Sequence, residues 1–240
     1  AMNGLAGFGF ALAGTMALAT MVDPATAVVV MIVPILAVNL SLVRDLSGDD
    51  LRTCGRRFGP LIGAALVGTV VGMVALSSIP SSPLRVGLGV LTLGFVATTQ
   101  QYVPLPQWSS GSVGTFGQTR LGMLGVGSIF GVLFGGTNVG IQLIAYLRSF
   151  DLSHGLFVGV VALVFLGLNG IRVVVAGVLG LYPSTAVLGA SIAAALPAVV
   201  GVAVGKRLRA TVTERARRLV VLGLLTVVGV RLVGGGLGLL

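Results

Sequence analysis

One cysteine and one histidine in 240 residues leave this chain little material for disulfide or metal chemistry. Cys54 alone closes no internal disulfide, and His154 alone builds no histidine-rich metal site. No metal and no cofactor are expected. Catalysis is equally poorly supplied, because a nucleophilic serine needs a general base in reach and the sole histidine stands at the entrance of an apolar segment. The chain is not expected to be an enzyme. Gly7-x-Gly9 follows no strand and leads to no GK[ST], so it is not a nucleotide loop and ATP coupling within this chain is not expected. Charge is scarce as well: Asp, Glu, Lys and Arg together make up 9% of residues.

What replaces charge is apolar surface and glycine. Hydrophobic residues make up 55% of the chain and mean hydropathy is +1.09. Glycine supplies 38 residues, and such small side chains let membrane helices approach closely. The expectation is an all-α polytopic membrane protein with the lipid bilayer as its surroundings. A net charge of +9 would suggest nucleic acid in a soluble protein. Here the basic residues cluster in short loops, Arg52, Arg56 and Arg57 in one, Lys206, Arg207, Arg209, Arg215, Arg217 and Arg218 in another. That is the signature of cytoplasmic loops, with anionic lipid headgroups as a secondary contact, and no nucleic-acid partner is expected.

Eight apolar segments fit a helix of spanning length, at about 4–22, 25–43, 58–79, 83–103, 121–147, 155–181, 184–205 and 219–239. If all eight crossed, five crossings would separate the two basic loops and place them on opposite sides. The simplest repair is that 121–147 enters, breaks at Gly135-Gly136 and returns, which also puts Arg120 and Arg148 on the cytoplasmic side.

The same pattern occurs twice. Gly14, Asp23, Asn39 and Thr92 are echoed by Gly136, Asp151, Asn169 and Thr226. By that symmetry the opening segment, broken near Gly14, is also re-entrant. The fold expected is two inverted repeats, 1–115 and 116–240, each a glycine-broken re-entrant hairpin plus three transmembrane helices, together one membrane domain with both termini outside. Open backbone at hairpin tips is tolerable only where protein or a wet cavity satisfies it, so the tips mark the candidate site.

The site is expected to suit an anion. Every carboxylate has a place outside the span interiors, and Asp23-Pro24 reads as an N-cap followed by proline at the first helical position. Helices restarting at Thr15-Met16 and at Thr137-Asn138-Val139 would present free N–H groups and positive dipole ends. Two such ends and several charge-assisted hydrogen bonds would reach roughly 4 to 8 kcal/mol, a millimolar to micromolar site, without requiring a buried arginine. The candidate substrate-binding residues are Gly14, Thr15, Asn39, Gly135, Gly136, Thr137, Asn138, Gln142, Asn169 and Arg172. Asn138 and Gln142 share a helix face. Arg172 follows Asn169 by three positions near the outer end of its span, where snorkelling to the interface competes with anion attraction. Gln100 and Gln101 are weaker candidates for an exit route.

These features resemble the sulfite exporter TauE/SafE family of prokaryotic membrane proteins. The resemblance is carried by the openings Gly7-Phe8-Gly9-Phe10-Ala11-Leu12-Ala13-Gly14 and Gly131-Val132-Leu133-Phe134-Gly135-Gly136-Thr137-Asn138, by Pro24-x-x-Ala27, by Asn169-x-x-Arg172 and by Gly201-x-x-x-Gly205 with its basic loop and last helix. It covers essentially the whole chain, although the family's usual glycine triplet is here Ala13-Gly14-Thr15 and Gly135-Gly136. It implies a secondary transporter of sulfite, another sulfur oxyanion or an organosulfonate in the prokaryotic cell membrane. A passive anion channel and a non-transporting membrane partner subunit are the alternatives. Glycine-rich faces would also suit a homodimer, with no sequence feature fixing its interface.

Overall fold

The computed structural model describes residues 5–43, 48–99, 119–147, 150, 152, 154–208 and 213–239. Among them the structure is helical: α1 (Leu5–Ala19), α2 (Pro24–Val30), α3 (Ile32–Val43), α4 (Gly48–Ser78), α5 (Ser81–Thr99), α6 (Arg120–Thr137), α7 (Ile141–Leu147), α8 (His154–Val178), α9 (Thr185–Leu208) and α10 (Glu214–Gly236). Six stretches are long and apolar enough to cross a membrane: Pro24–Ser41, Gly55–Ser78, Arg120–Thr137, Val160–Val178, Thr185–Val204 and Leu219–Gly236. The protein is a multi-pass membrane protein. The six differ from the expected set, because Arg120–Thr137 is among them and the apolar part of α5, Ser81–Ala97, is shorter. The end of the 83–103 segment, with Gln100 and Gln101, lies outside the described residues.

Local chemistry sets the helix ends. Asp23 caps α2, its side chain accepting from the Thr26 N–H, and Pro24 occupies the first turn, as the sequence led one to expect. Asp151, its counterpart, lies outside the described residues. Thr119 caps α6 by accepting from the Gly122 N–H at 3.1 Å. α8 and α10 both stop at a left-handed glycine, Gly180 and Gly238, and the next residue's N–H closes back five positions, Leu181 to Ala176 O and Leu239 to Gly234 O.

The helix directions follow from the glycine contacts. A Cβ on Gly127, Gly131 or Gly135 of α6 would fall 2.5, 2.2 and 2.4 Å from the carbonyl oxygens of Leu61, Ala65 and Thr69 of α4. Both series rise together, so α4 and α6 are parallel and begin side by side. On α4, Gly68 and Gly72 approach the backbone of Ser128 and Val132 in the same way. Lipid tails are as apolar as leucine, so close packing of this kind, rather than apolar burial from water, holds the pair together. Gly89 of α5 meets Gly229 and Val233 of α10, while Gly236 meets Ser82 and Val86. That pair is antiparallel, so α10 begins at the end where α4 begins.

This end is basic. Arg56, Arg57, Arg120, Met123, Pro60 and Phe150 line a pocket of about 350 Å³ there. Phe150 also packs edge-on against Phe58, with ring centroids 5.4 Å apart. The chain that leaves this end at Arg120 is therefore back at it by Phe150. The far end holds Asp23, which accepts a hydrogen bond from Ser81 at the start of α5, and the turn after α8. Along the periphery, apolar side chains such as Ile192 and Leu196 of α9 stay outward, as a lipid-facing surface requires.

Two expected breaks fall elsewhere. α1 runs unbroken from Leu5 to Ala19, through Gly14 and Thr15, and the chain turns only before Asp23. Gly14 serves contact, since a Cβ there would meet Met31 Cε at 2.6 Å. α6 likewise continues through Gly135 and Gly136 to Thr137, and the break covers 138–140. Glycine in these two segments marks where helices touch, not where they stop.

Candidate functional site

The break after α6 is made by Asn138, the sole non-glycine residue with positive φ among the described residues, at φ 60° and ψ 11°. Asparagine tolerates this left-handed conformation better than most side chains. Its N–H is used on Phe134 O at 3.0 Å. Thr137 does not open a helix either: its hydroxyl donates to Leu133 O at 2.6 Å and accepts from the Val139 N–H at 3.2 Å. The two restarting ends at Thr15-Met16 and Thr137-Asn138-Val139 are therefore corrected. Thr15 and Met16 are interior to α1, and what α6 presents at Asn138 is its C-terminal, carbonyl-bearing end.

Asn138 is fully buried and joins three elements. Its Nδ2 donates to Thr15 Oγ1 of α1 at 2.8 Å and to Val28 O of α2 at 3.1 Å. Its Oδ1 accepts from Nη1 of Arg172 in α8. The same Nη1 lies 3.4 Å from Asn169 Oδ1, and Nη2 lies 3.4 Å from Gly135 O. Asn169 Nδ2 donates in turn to Phe165 O at 2.8 Å. The guanidinium carbon stands 5.1 Å from the Phe134 ring centroid, and Phe134 packs on Phe130 and Phe165. A cation over an aromatic face in a desolvated place gains about 2 kcal/mol.

Arg172 does not snorkel. Its relative exposure is 0%, and it points inward onto Asn138. All its hydrogen-bond partners among the described residues are neutral oxygens, and its Nε is buried with none. Six residues of α8 separate Arg172 from Val178, about 9 Å of rise. The cluster thus lies in the far half of the bundle. Twelve residues of α6, about 18 Å, separate it from Met123 in the basic pocket.

Of the sequence candidates, Thr15, Gly135, Asn138, Asn169 and Arg172 come together. Gly14, Gly136 and Thr137 lie beside them in α1 and α6 with packing or own-turn contacts. Asn39 is buried in α3 and makes none of the described contacts to Arg172. Gln142 is placed in α7, and its side chain lies outside the described residues. Sequence reading missed Val28 and Phe134, which act through a backbone carbonyl and a ring face that no motif records.

Among the described residues, helices long enough to span a membrane surround the buried cation of Arg172, which defines a multi-pass membrane protein with a polar cluster at its interior. Residues 1–232 match the family model for the sulfite exporter TauE/SafE, nearly the whole chain. The protein belongs to that family, which is one of membrane transporters rather than enzymes. Neither a curated protein nor a solved structure matches the chain.

Proposed function

We propose that the protein is a secondary transporter that carries a small anion, sulfite or another sulfur oxyanion or organosulfonate, across a prokaryotic plasma membrane. The observation that carries this reading is Arg172. A buried charge costs several kcal/mol unless it is paired, and here only neutral oxygens and a ring face compensate it among the described residues. A small oxyanion is the partner that would complete the balance. The anion argument thus passes from the helix ends to the guanidinium. Thr15, Asn138, Asn169 and Gly135 orient that guanidinium, and Asn39 and Gln142 flank the route on this reading.

Inverted halves, 1–115 and 116–240, are supported by the packing. Exchanging the halves turns the α4–α8 contact into α9–α3 and maps α3–α8 and α5–α10 onto themselves, and all four contacts are present. The α4–α6 contact has no comparable α9–α1 counterpart among the described residues. Re-entry of 121–147 is supported by the return of Phe150 to the pocket that holds Arg120. Alternating access would come from α4 and α6, joined across the two halves, moving as one piece against the remaining helices around the Arg172 cluster.

The test is radiolabelled sulfite uptake into proteoliposomes. Uptake should saturate, accelerate when unlabelled sulfite is preloaded, and fall at least tenfold in Arg172→Gln. Linear uptake without counterflow would make the protein a passive channel. No protein-dependent flux of sulfite, thiosulfate or taurine would sink the reading.

A further inference from the structure

Two cavities border the same stretch of α4 at the basic end. One is the pocket of about 350 Å³ lined by Arg56 and Arg57 of α4 and Arg120 of α6, with Pro60, Met123 and Phe150 as its apolar walls. The other is a groove of about 530 Å³ between α4 and α8, whose lining includes Gly55, Gly59, Gly63, Leu66, Leu163 and Gly167. Arg56, Gly59 and Gly63 stand at i, i+3 and i+7, so the arginine shares the groove's face of α4 and lies nearer the basic end. The groove therefore leads from a cluster of cations into the bilayer.

Each cavity asks for a different chemistry. Three guanidiniums around one pocket repel one another unless an anion lies between them, and among the described residues no carboxylate pairs with any of the three. Arg57 is steadied by the Phe58 ring, whose centroid is 5.6 Å from the guanidinium carbon, and the close approach of Gly127 to Leu61 O fixes α4 against α6 at this level. Guanidinium suits phosphate, which accepts two parallel N–H bonds at once. The groove offers only apolar side chains and glycine. A Cβ at Gly55, Gly59 or Gly63 would meet nothing within 4 Å, so among the described residues no protein group fills it. Eleven residues of α4 separate Gly55 from Leu66, about 16 Å of rise, or half of the roughly 30 Å hydrocarbon core. That is the depth of one leaflet.

We propose that this end of α4 is a seat for an anionic phospholipid, its phosphate held by Arg56, Arg57 and Arg120 and one acyl chain laid along Gly55, Gly59 and Gly63. Basic pockets between membrane helices on the cytoplasmic side take such headgroups. A second copy of this chain suits the groove less well. Related by a two-fold axis along the membrane normal, it would bring its own three arginines to the same depth. The seat is separate from the Arg172 cluster and does not depend on the anion-transport reading.

The experiment titrates dioleoyl-phosphatidylglycerol into the purified full chain in detergent and reads the bound population by native mass spectrometry. Dioleoyl-phosphatidylcholine and inorganic phosphate are separate arms. A hydrogen bond to a charged group corresponds to about ten- to a hundredfold in affinity, so the natural protein should prefer the anionic lipid by about tenfold or more. Arg56→Gln combined with Arg120→Gln, two exposed positions, should remove that preference. Arg52→Gln, one turn earlier on α4 and outside the pocket, should leave the affinity within about twofold at physiological salt, where exposed charges are screened beyond about 8 Å. Gly59→Leu fills the groove, and a chain that loses about ten carbon contacts there should bind about fivefold more weakly. Equal binding of the two lipids, or a preference that survives the double arginine substitution, would overturn the proposal. Phosphate binding as tight as that of the lipid and unaffected by Gly59→Leu would assign the pocket to a soluble anion and overturn the lipid seat. A dimer lost in Gly59→Leu with lipid binding unchanged would give the groove to a second copy and overturn it as well. None of these outcomes turns on sulfite flux.

Discussion

Arg172 and Asn138, 34 residues apart, are joined by a direct hydrogen bond at full burial. Asn138 also reaches Thr15, 123 residues away, so one amide connects α1, α2, the end of α6 and α8. The cation is held by geometry rather than by a counter-charge. Replacing Arg172 with lysine keeps the charge but loses the fork that reaches Asn138 and Gly135 together. We expect Arg172→Lys to fold and to lose at least tenfold in sulfite flux, measured in proteoliposomes; unimpaired flux would mean that charge alone suffices.

Asn138→Ala should destabilise the protein more than an ordinary polar truncation. It leaves the Val28 carbonyl and the guanidinium unpaired, and it places a Cβ residue without a helpful side chain at φ 60°. The two effects together come to about 2 to 5 kcal/mol. Asn138→Gly removes only the hydrogen bonds, and thermal unfolding in detergent should place it between the two by about 1 to 2 kcal/mol.

Gly131→Ala tests the α4–α6 contact. The added methyl would stand 2.2 Å from Ala65 O, a backbone atom that cannot swing aside. Overpacking of this kind costs about 1 to 3 kcal/mol. Gly125→Ala, on the same helix with nothing within 4 Å, serves as the comparison and should be neutral or gain up to about 1 kcal/mol. Equal melting temperatures for the two variants would remove the contact from the account of stability.

Acid should loosen the far end first. Burial raises the Asp23 carboxyl, but hydrogen bonds from Ser81 and from the Thr26 and Ala25 N–H groups, with the Arg85 charge, more than offset this and hold it below the usual 3.8. A depressed folded value means that its stabilising contribution is complete above pH 3.8 and is lost as pH falls through the folded value. Asp23→Asn should therefore flatten the melting-temperature profile below that pH and lower it above; an unchanged acid profile would show that Asp23 does not link folding to pH.

Single cysteines at positions 120 and 150, in a background with Cys54 replaced, should react with an impermeant reagent from the side that labels position 56. Position 81 should label from the other side. Labelling of 120 and 150 from opposite sides would end the re-entrant reading.

The sequence was most legible where a residue's type dictated its role locally. Asp23-Pro24 announced a helix start and made one. Charge parity pointed to a chain that comes back between Arg120 and Arg148, the basis of the re-entry proposed above, and Phe150 packs on Phe58. Glycine was harder to read, because the same residue permits both a break and a close approach. In α1 and α6 the partner helix decided the matter, and a partner cannot be seen from one strip of sequence. The left-handed turn fell on Asn138 instead, a residue singled out for its side chain rather than for its backbone. Arg172 was named, but its depth depended on whether α8 turned it toward lipid or toward Asn138.

The interlocked backbones of α4 and α6 restrict how any gate could work. Carbonyls seated within van der Waals reach of opposing glycines cannot slide by a fraction of a turn without collision. The two helices must travel as a single rigid piece, carrying Gly135 and Asn138 with them. On the transport reading proposed above, motion that uncovers Arg172 would be left to α8, to the turn above it, or to the elements around α1, with the guanidinium's own helix moving against a fixed rail.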